Sequence, residues 1–207
     1  MKYRNVLFDI DNTLINSADL IAKLLKEGAE REGVYVPLKE FRTRIGQPGN
    51  EILKELGVRN WRRVLAEYTL QFEKNMNSLD YFEGIEKMLT GLLEMDTRLG
   101  VVTSKDRNQF EKETQRFPMI STMKIITTSD LTENPKPSGD PLNYTLEKFH
   151  LKKRQTLYVG DSIFDMQAAN EAEVDFAIAA WGALPAASFK HAKYLAKTPN
   201  EIVTIVR

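Results

Sequence analysis

Residues 3–14 read Y-R-N-V-L-F-D-I-D-N-T-L, and the fold turns on them. Val6, Leu7 and Phe8 form an unbroken apolar run, the pattern of a strand buried on both faces of a parallel sheet. Asp9 and Asp11 follow, then Asn12 and Thr13. Open α/β sheets hold ligands at the carboxyl ends of their strands. Two carboxylates therefore leave this strand where such sheets keep their chemistry. Taken alone, the pair also reads as an Asx turn closed by Asp9. The choice depends on whether later strands bring partners to the same edge.

Downstream, Ser17 or Asp19 is placed to cap a helix running to about Glu32. Leu20, Ile21, Leu24, Leu25 and Ala29 recur there at helical spacing, and Gly33 stops it. Residues 34–50 read as irregular. Helices follow over 51–56, ended by Gly57, and over 60–75, with Trp61, Val64, Leu65, Tyr68 and Phe72 on one stripe. Residues 17–81 thus hold only helices and loops and interrupt a β/α alternation. They read as an inserted all-helical cap domain, with 1–16 and 82–207 forming an α/β core.

The alternation then resumes. A helix over 85–95 turns Met88, Leu89, Leu92 and Leu93 inward, and a strand over 98–102 ends at Thr103-Ser104. A polar helix over 106–116 and a strand over 123–127 follow. The turn-rich N-P-K-P-S-G-D-P (134–141) leads into a helix reaching His150. A strand over 155–159 ends at Gly160-Asp161, then come a helix over 163–173 and an apolar strand over 174–180. A short strand at 193–196 and a helix from about Glu201 close the chain. This order predicts a doubly wound, mainly parallel, Rossmann-like sheet.

Composition bounds the partners. Lys+Arg and Asp+Glu both number 29, so the formal charge is zero and nothing suggests nucleic acid or an anionic membrane. Any pull on anions must be local. Without cysteine there is no thiolate nucleophile, disulfide or cysteine metal site. The chain runs straight into its first strand, with no secretory core and no stretch near the ~20 apolar residues of a membrane span. A soluble cytoplasmic protein is expected, as a monomer or weak homodimer.

Four strand ends carry a consistent set of groups: Asp9, Asp11 and Thr13; Thr103 and Ser104; Lys136; and Asp161, Ser162 and Asp165. Carboxylates from two strand ends suit a hard cation such as Mg²⁺. Hydroxyls and a lysine supply donors for phosphate oxygens. That combination points to phosphoryl transfer, in which positive charge offsets the substrate's own. Asp9 is the candidate nucleophile, forming an aspartyl-phosphate, and Asp11 the acid/base for leaving group and water. Each piece has a duller reading on its own. Thr103-Ser104 is also a helix cap, Lys136 a solvated loop lysine, and G-D-S-I-F-D a helix start with dipole-compensating acids.

These motifs resemble those of haloacid-dehalogenase-superfamily phosphatases with a helical cap, in the phosphoglycolate phosphatase and β-phosphoglucomutase-like group. F-D-I-D-N-T-L is similar to the first family motif, V-V-T-S-K to the second, K-P-S-G-D-P to the third and G-D-S-I-F-D to the fourth. The resemblance implies Asp9 as nucleophile, Asp11 as acid/base, and Thr103 and Lys136 holding the phosphoryl group. It implies Mg²⁺ on the Asp9 carboxylate, the Asp11 backbone carbonyl and Asp161, with Asp165 supporting. Asn12 replaces a frequent glycine, Gly139 replaces a frequent proline after Lys136, and the helix after Thr103 is unusually polar.

The loop R-T-R-I-G-Q-P-G-N (42–50) resembles the family's specificity loop. It offers Arg42, Arg44, Gln47 and Asn50 to the leaving group, with Ser104 and Thr13 as further substrate contacts. An inward arginine would favour a carboxylate or second phosphate. Hinges are expected near Asn16-Ser17 and over 81–84. The expected partner is a small phosphorylated metabolite. A phosphomutase, a metal-independent dehalogenase and a silent binding protein are the competing readings, and Asp11 and Asp161 argue against the dehalogenase.

Overall fold

The structure is a computed structural model and describes residues 1–185 and 187–207. Six strands form one sheet: β1 (Asn5–Phe8), β2 (Arg98–Val102), β3 (Ile125–Thr127), β4 (Thr156–Gly160), β5 (Asp175–Ala179) and β6 (Tyr194–Ala196). Their order is β3-β2-β1-β4-β5-β6 and every pairing is parallel. The order runs one way from β1 to β3, then jumps back across β1 to β4. That reversal opens a crevice at the carboxyl ends of β1 and β4. Asp9 leaves the first of these strands and Asp161 the second.

The apolar run of β1 is buried throughout, which each Val, Leu or Phe side chain rewards by about 1.5–3 kcal/mol. Its side chains alternate between faces. Val6 and Phe8 pack into one apolar cluster, and Leu7 packs with Tyr158 into another.

Between β1 and β2 lie α1 (Ala18–Arg31), α2 (Leu38–Arg42), α3 (Gly49–Glu55), α4 (Trp61–Asn75) and α5 (Ile85–Glu94). The two chain crossings around α1–α4 pair with each other. Ile15 bridges Tyr81 antiparallel, Asn16 N donates to Asp80 O at 3.1 Å, and Phe82 N donates to Leu14 O at 3.1 Å. The cluster that holds Phe8 continues into Leu25, Phe41, Leu53 and Phe72 of these helices. The remaining helices are α6 (Arg107–Glu113), α7 (Pro118–Ser121), α8 (Asp140–Lys148), α9 (Ile163–Glu171) and α10 (Pro199–Val206). No helix among the described residues is long and apolar enough to cross a membrane.

Several local expectations are corrected. Residues 34–50 are not wholly irregular, since α2 forms there after Pro37 and buries only Phe41. Ser17 stands at the start of α1 but does not cap it: its backbone, at φ −114° and ψ −16°, lacks the extended geometry of an N-cap, and its hydroxyl is turned to Asp11, donating to Oδ1 at 2.6 Å. Asp19 pairs with Arg42 instead. Leu93 is 54 % exposed, because the inward stripe of α5 is Ile85, Met88, Leu89 and Leu92 and the next position falls off it. The polar helix ends at Glu113 rather than 116, and the last helix begins at Pro199.

Candidate active site

Lys136 is the centre of the arrangement at the crevice. It is 2 % exposed, and its Nζ lies 2.7 Å from Asp9 Oδ1 and 2.7 Å from Asp165 Oδ1. It also reaches Tyr158 Oη at 3.2 Å. Tyr158 rises from inside β4 and donates to Asp165 Oδ1 at 2.8 Å and to Val102 O at 3.0 Å. Asp165 is therefore fully engaged, for its Oδ2 accepts from the backbone N and hydroxyl of Ser162. The Ser162 N bond, with Asp165 N donating back to Ser162 Oγ at 3.2 Å, makes the capping box that opens α9. Asp9 is different: Lys136 takes only Oδ1, and among the described residues no hydrogen bond reaches Oδ2.

Asp161 accepts from Asn12 Nδ2 at 3.3 Å and from Thr13 Oγ1 at 3.1 Å. The turn that brings these donors round requires Asn12 in the left-handed region, at φ 60°, which asparagine tolerates. Carboxylate oxygens of Asp9, Asp161 and Asp165 lie within 4.8 Å of one another. Burial pushes the Asp9 carboxyl up to about 7 against the opposing pull of Lys136, and burial with Asp165 and Asp9 raises Asp161. Burial works against the Lys136 ammonium, but Asp165 and Asp9 outweigh it and raise its pKa. Three carboxylates stand close to one ammonium, so burial and mutual repulsion raise the carboxyls that lack a full counter-charge. This oxygen-only donor set, short of positive charge, fits a hard divalent cation.

Asp11 diverges from Asp9 into a second ion-pair network. Its Oδ2 is 2.6 Å from Lys105 Nζ, and Lys105 also pairs with Glu113 of α6. Both are buried. Burial pushes Glu113 up to about 7 despite Lys105. Asp9, Asp11, Ser104, Lys105, Gln47 and Gln109 are among the groups lining one cavity of about 40 Å³, closed by Ile21, Ile45, Ile52 and Tyr68.

Of the other expected site residues, Arg44, Arg42 and Asn50 are held by neighbouring acids of the inserted helices, whereas Thr13, Ser104 and Thr103 stay at the strand ends. Arg44 faces away from the cavity, held by Glu40 at 2.9 Å and Glu55 at 3.2 Å. Arg42 is held by Asp19 at 2.8 Å. Asn50 donates to Glu51. Thr13 serves Asp161, and Ser104 Oγ donates to Gly46 O at 2.5 Å, tying the 42–50 loop to the core. Thr103 is buried at the end of β2, and its Oγ1 accepts from Lys105 N at 3.2 Å.

Reading the sequence passed over Lys105, Glu113 and Tyr158. Lys105 was visible as the last residue of V-V-T-S-K, a cation at a strand end. Tyr158 is legible as the one aromatic residue of T-L-Y-V-G.

Comparison with known proteins matches residues 6–179 to the family described as haloacid dehalogenase-like hydrolase. Over 183 residues the chain is 30 % identical to the pyrophosphatase PpaX of Halalkalibacterium halodurans, covering 86 % of this chain and 84 % of that protein. It is 29 % identical over 185 residues to the phosphoglycolate phosphatase of Xylella fastidiosa, covering 86 % and 81 %. A Lactobacillus plantarum crystal structure, provisionally named a phosphoglycolate phosphatase, superposes with a TM-score of 0.89 at 28 % identity, covering 99 % of this chain and 100 % of that one.

Proposed function

Because the chain belongs to the haloacid dehalogenase-like hydrolase family, we propose that it is a Mg²⁺-dependent phosphatase of a small phosphorylated metabolite. The observation that carries this is the Asp9–Lys136–Asp165 cluster beside Asp161. It pairs a carboxylate oxygen without a hydrogen-bond partner with an ammonium 2.7 Å from the same carboxylate, close enough to donate to a phosphoryl oxygen brought to Asp9. Asp9 Oδ2 attacks phosphorus and the ester P–O bond breaks. Asp11 gives its proton to the departing oxygen, and a water then cleaves the aspartyl-phosphate with Asp11 as base. Lys136 and Thr103 hold the phosphoryl group. The Asp9 and Asp161 carboxylates and the Asp11 carbonyl would hold Mg²⁺, with Asp165 aiming Lys136 and bracing the set. When bound, the ion supplies positive charge against the phosphoryl oxygens.

The cavity over Asp9 and Asp11 favours a compact leaving group. Its volume of about 40 Å³ is small. Pyrophosphate and phosphoglycolate, the substrates in the names of two relatives, both fit that description. Residues 17–81 act as a cap that excludes water as it closes, swinging about the paired crossings at Ile15 and Tyr81.

The test is phosphate release from p-nitrophenyl phosphate, pyrophosphate and phosphoglycolate, with Mg²⁺ and with EDTA. Wild type turns over and Asp9→Asn does not. Turnover that survives EDTA rejects the metal assignment, and turnover that survives Asp9→Asn rejects the nucleophile.

A further inference from the structure

Resting on that phosphatase reading, we propose that Lys105 is the positioning residue for Asp11. It fixes the carboxylate toward the leaving-group oxygen, Glu113 aims it from behind, and α4 covers it. Four observations converge on this. First, Lys105 is 5 % exposed, so its ammonium has no water shell to fall back on and depends on its partners. Second, those partners are Asp11 at 2.6 Å and Glu113, one on the strand exit and one on α6, so the ammonium bridges two elements. Third, the Phe72 ring of α4 faces the same Nζ, 5.3 Å from ring centre to nitrogen. Fourth, Lys105 and Asp11 share the wall of the leaving-group cavity with Asp9.

Among the described residues no backbone N–H donates to the Asp11 carboxylate. Ser17 Oγ on one oxygen and Lys105 on the other fix its orientation. A seryl hydroxyl alone lets the carboxylate swing, whereas the bridged ammonium does not. Since Phe72 belongs to the inserted helices, the clamp is complete only while α4 lies against α6. Arg116 reinforces that seating by donating to Met76 O at 2.6 Å, just beyond the end of α4.

The test separates proton donation from everything else. An alkyl phosphomonoester needs a proton on its leaving oxygen, whereas p-nitrophenolate departs unaided. Because kcat/KM reports only steps through formation of the aspartyl-phosphate and release of the first product, the later hydrolysis does not enter. For Lys105→Met, kcat/KM on the alkyl ester is expected to fall about 100-fold, the low end of a general acid's contribution. On p-nitrophenyl phosphate it should fall less than about threefold. Glu113→Gln, which keeps the Lys105–Asp11 pair but loosens its anchor, should show the same selectivity at about tenfold. It stands in if Lys105→Met does not fold.

Equal losses on both esters overturn the proposal in favour of a packing role. So does a rise in KM confined to substrates bearing a second anionic group, which would make Lys105 a reader of substrate charge. If wild type hydrolyses neither ester, the phosphatase reading itself fails. An active wild type with unselective variants fails this proposal alone.

Discussion

Removing metal should make this protein less stable as pH rises from about 5 to about 8, opposite to the usual behaviour of ion-paired carboxylates. The cause is Asp9. Burial lifts its carboxyl from the ordinary 3.8 to about 7, although Lys136 opposes the lift. The folded state thus holds that proton more tightly than the unfolded chain. Between about pH 4 and 7 the folded state carries more protons, so stability falls as pH rises and levels off above about 7. At roughly 1.4 kcal/mol per pH unit the full displacement costs about 4 kcal/mol, and about 3 of it falls between pH 5 and 8.

Glu113, also pushed to about 7, and Asp161, raised by burial and by Asp165, act in the same direction. The assay is urea unfolding in EDTA at several pH values, followed by tryptophan fluorescence. Trp61 lies on α4 and Trp181 just after β5, so the inserted helices and the core report separately. Asp9→Asn should flatten the slope by about 3 kcal/mol across the window and be the more stable protein at pH 8. Saturating Mg²⁺ should restore wild type by about 2.7 kcal/mol at a hundredfold excess over Kd. A flat or rising profile in EDTA, or an Asp9→Asn profile as steep as wild type, refutes the electrostatic account of the cluster.

Two further expectations concern the 42–50 loop. Arg44→Ala should leave KM within about twofold on phosphoglycolate and pyrophosphate, because Glu40 and Glu55 hold the side chain away from the cavity. Its stability loss should stay near 1 kcal/mol, as for partly exposed ion pairs, and thermal denaturation measures it. Gly46→Ala should lower kcat sharply, about tenfold or more, with the isolated fold intact by circular dichroism. Gly46 sits at φ +111°, and a Cβ there would stand 2.5 Å from Ser162 Oγ, so the loop could no longer seat on the core. An unchanged kcat would show that the loop's seating is irrelevant to turnover.

The sheet was legible because a buried parallel strand has a plain signature, and the acids stand directly after two such strands. Lys136 between two prolines was legible only in company. Its burial depends on Asp9 and Asp165, which no local pattern announces. Arg44 shows the opposite limit. An arginine in a loop of suggestive composition turns to whichever carboxylate lies nearest, and Glu40 one helical turn away and Glu55 on α3 win that competition. Ser17 misled for a related reason. Its residue type and position suit an N-cap, but donation to the Asp11 carboxylate fixes the rotamer, and the Ser17 backbone is not in the extended geometry that aims an N-cap oxygen at the helix amides. Helix α2, five residues with one buried side chain, is too short for a hydrophobic period to show.

The D-I-D spacing explains why two lysines are needed. The two carboxylates line one cavity, where without counter-charges they would repel each other. Instead each is drawn to its own buried ammonium, Asp9 to Lys136 and Asp11 to Lys105. Each ammonium is in turn held by a second acid, Asp165 or Glu113. The two sets differ in one respect: Asp161 is added on the Asp9 side, giving three carboxylates to one ammonium there against two to one around Lys105. The larger negative excess lies beside the oxygen left free to attack. On the proposed reading, that asymmetry would draw a divalent cation to Asp9 rather than to the Asp11 side chain, which would keep its acid/base role while Ser17 and Lys105 orient it.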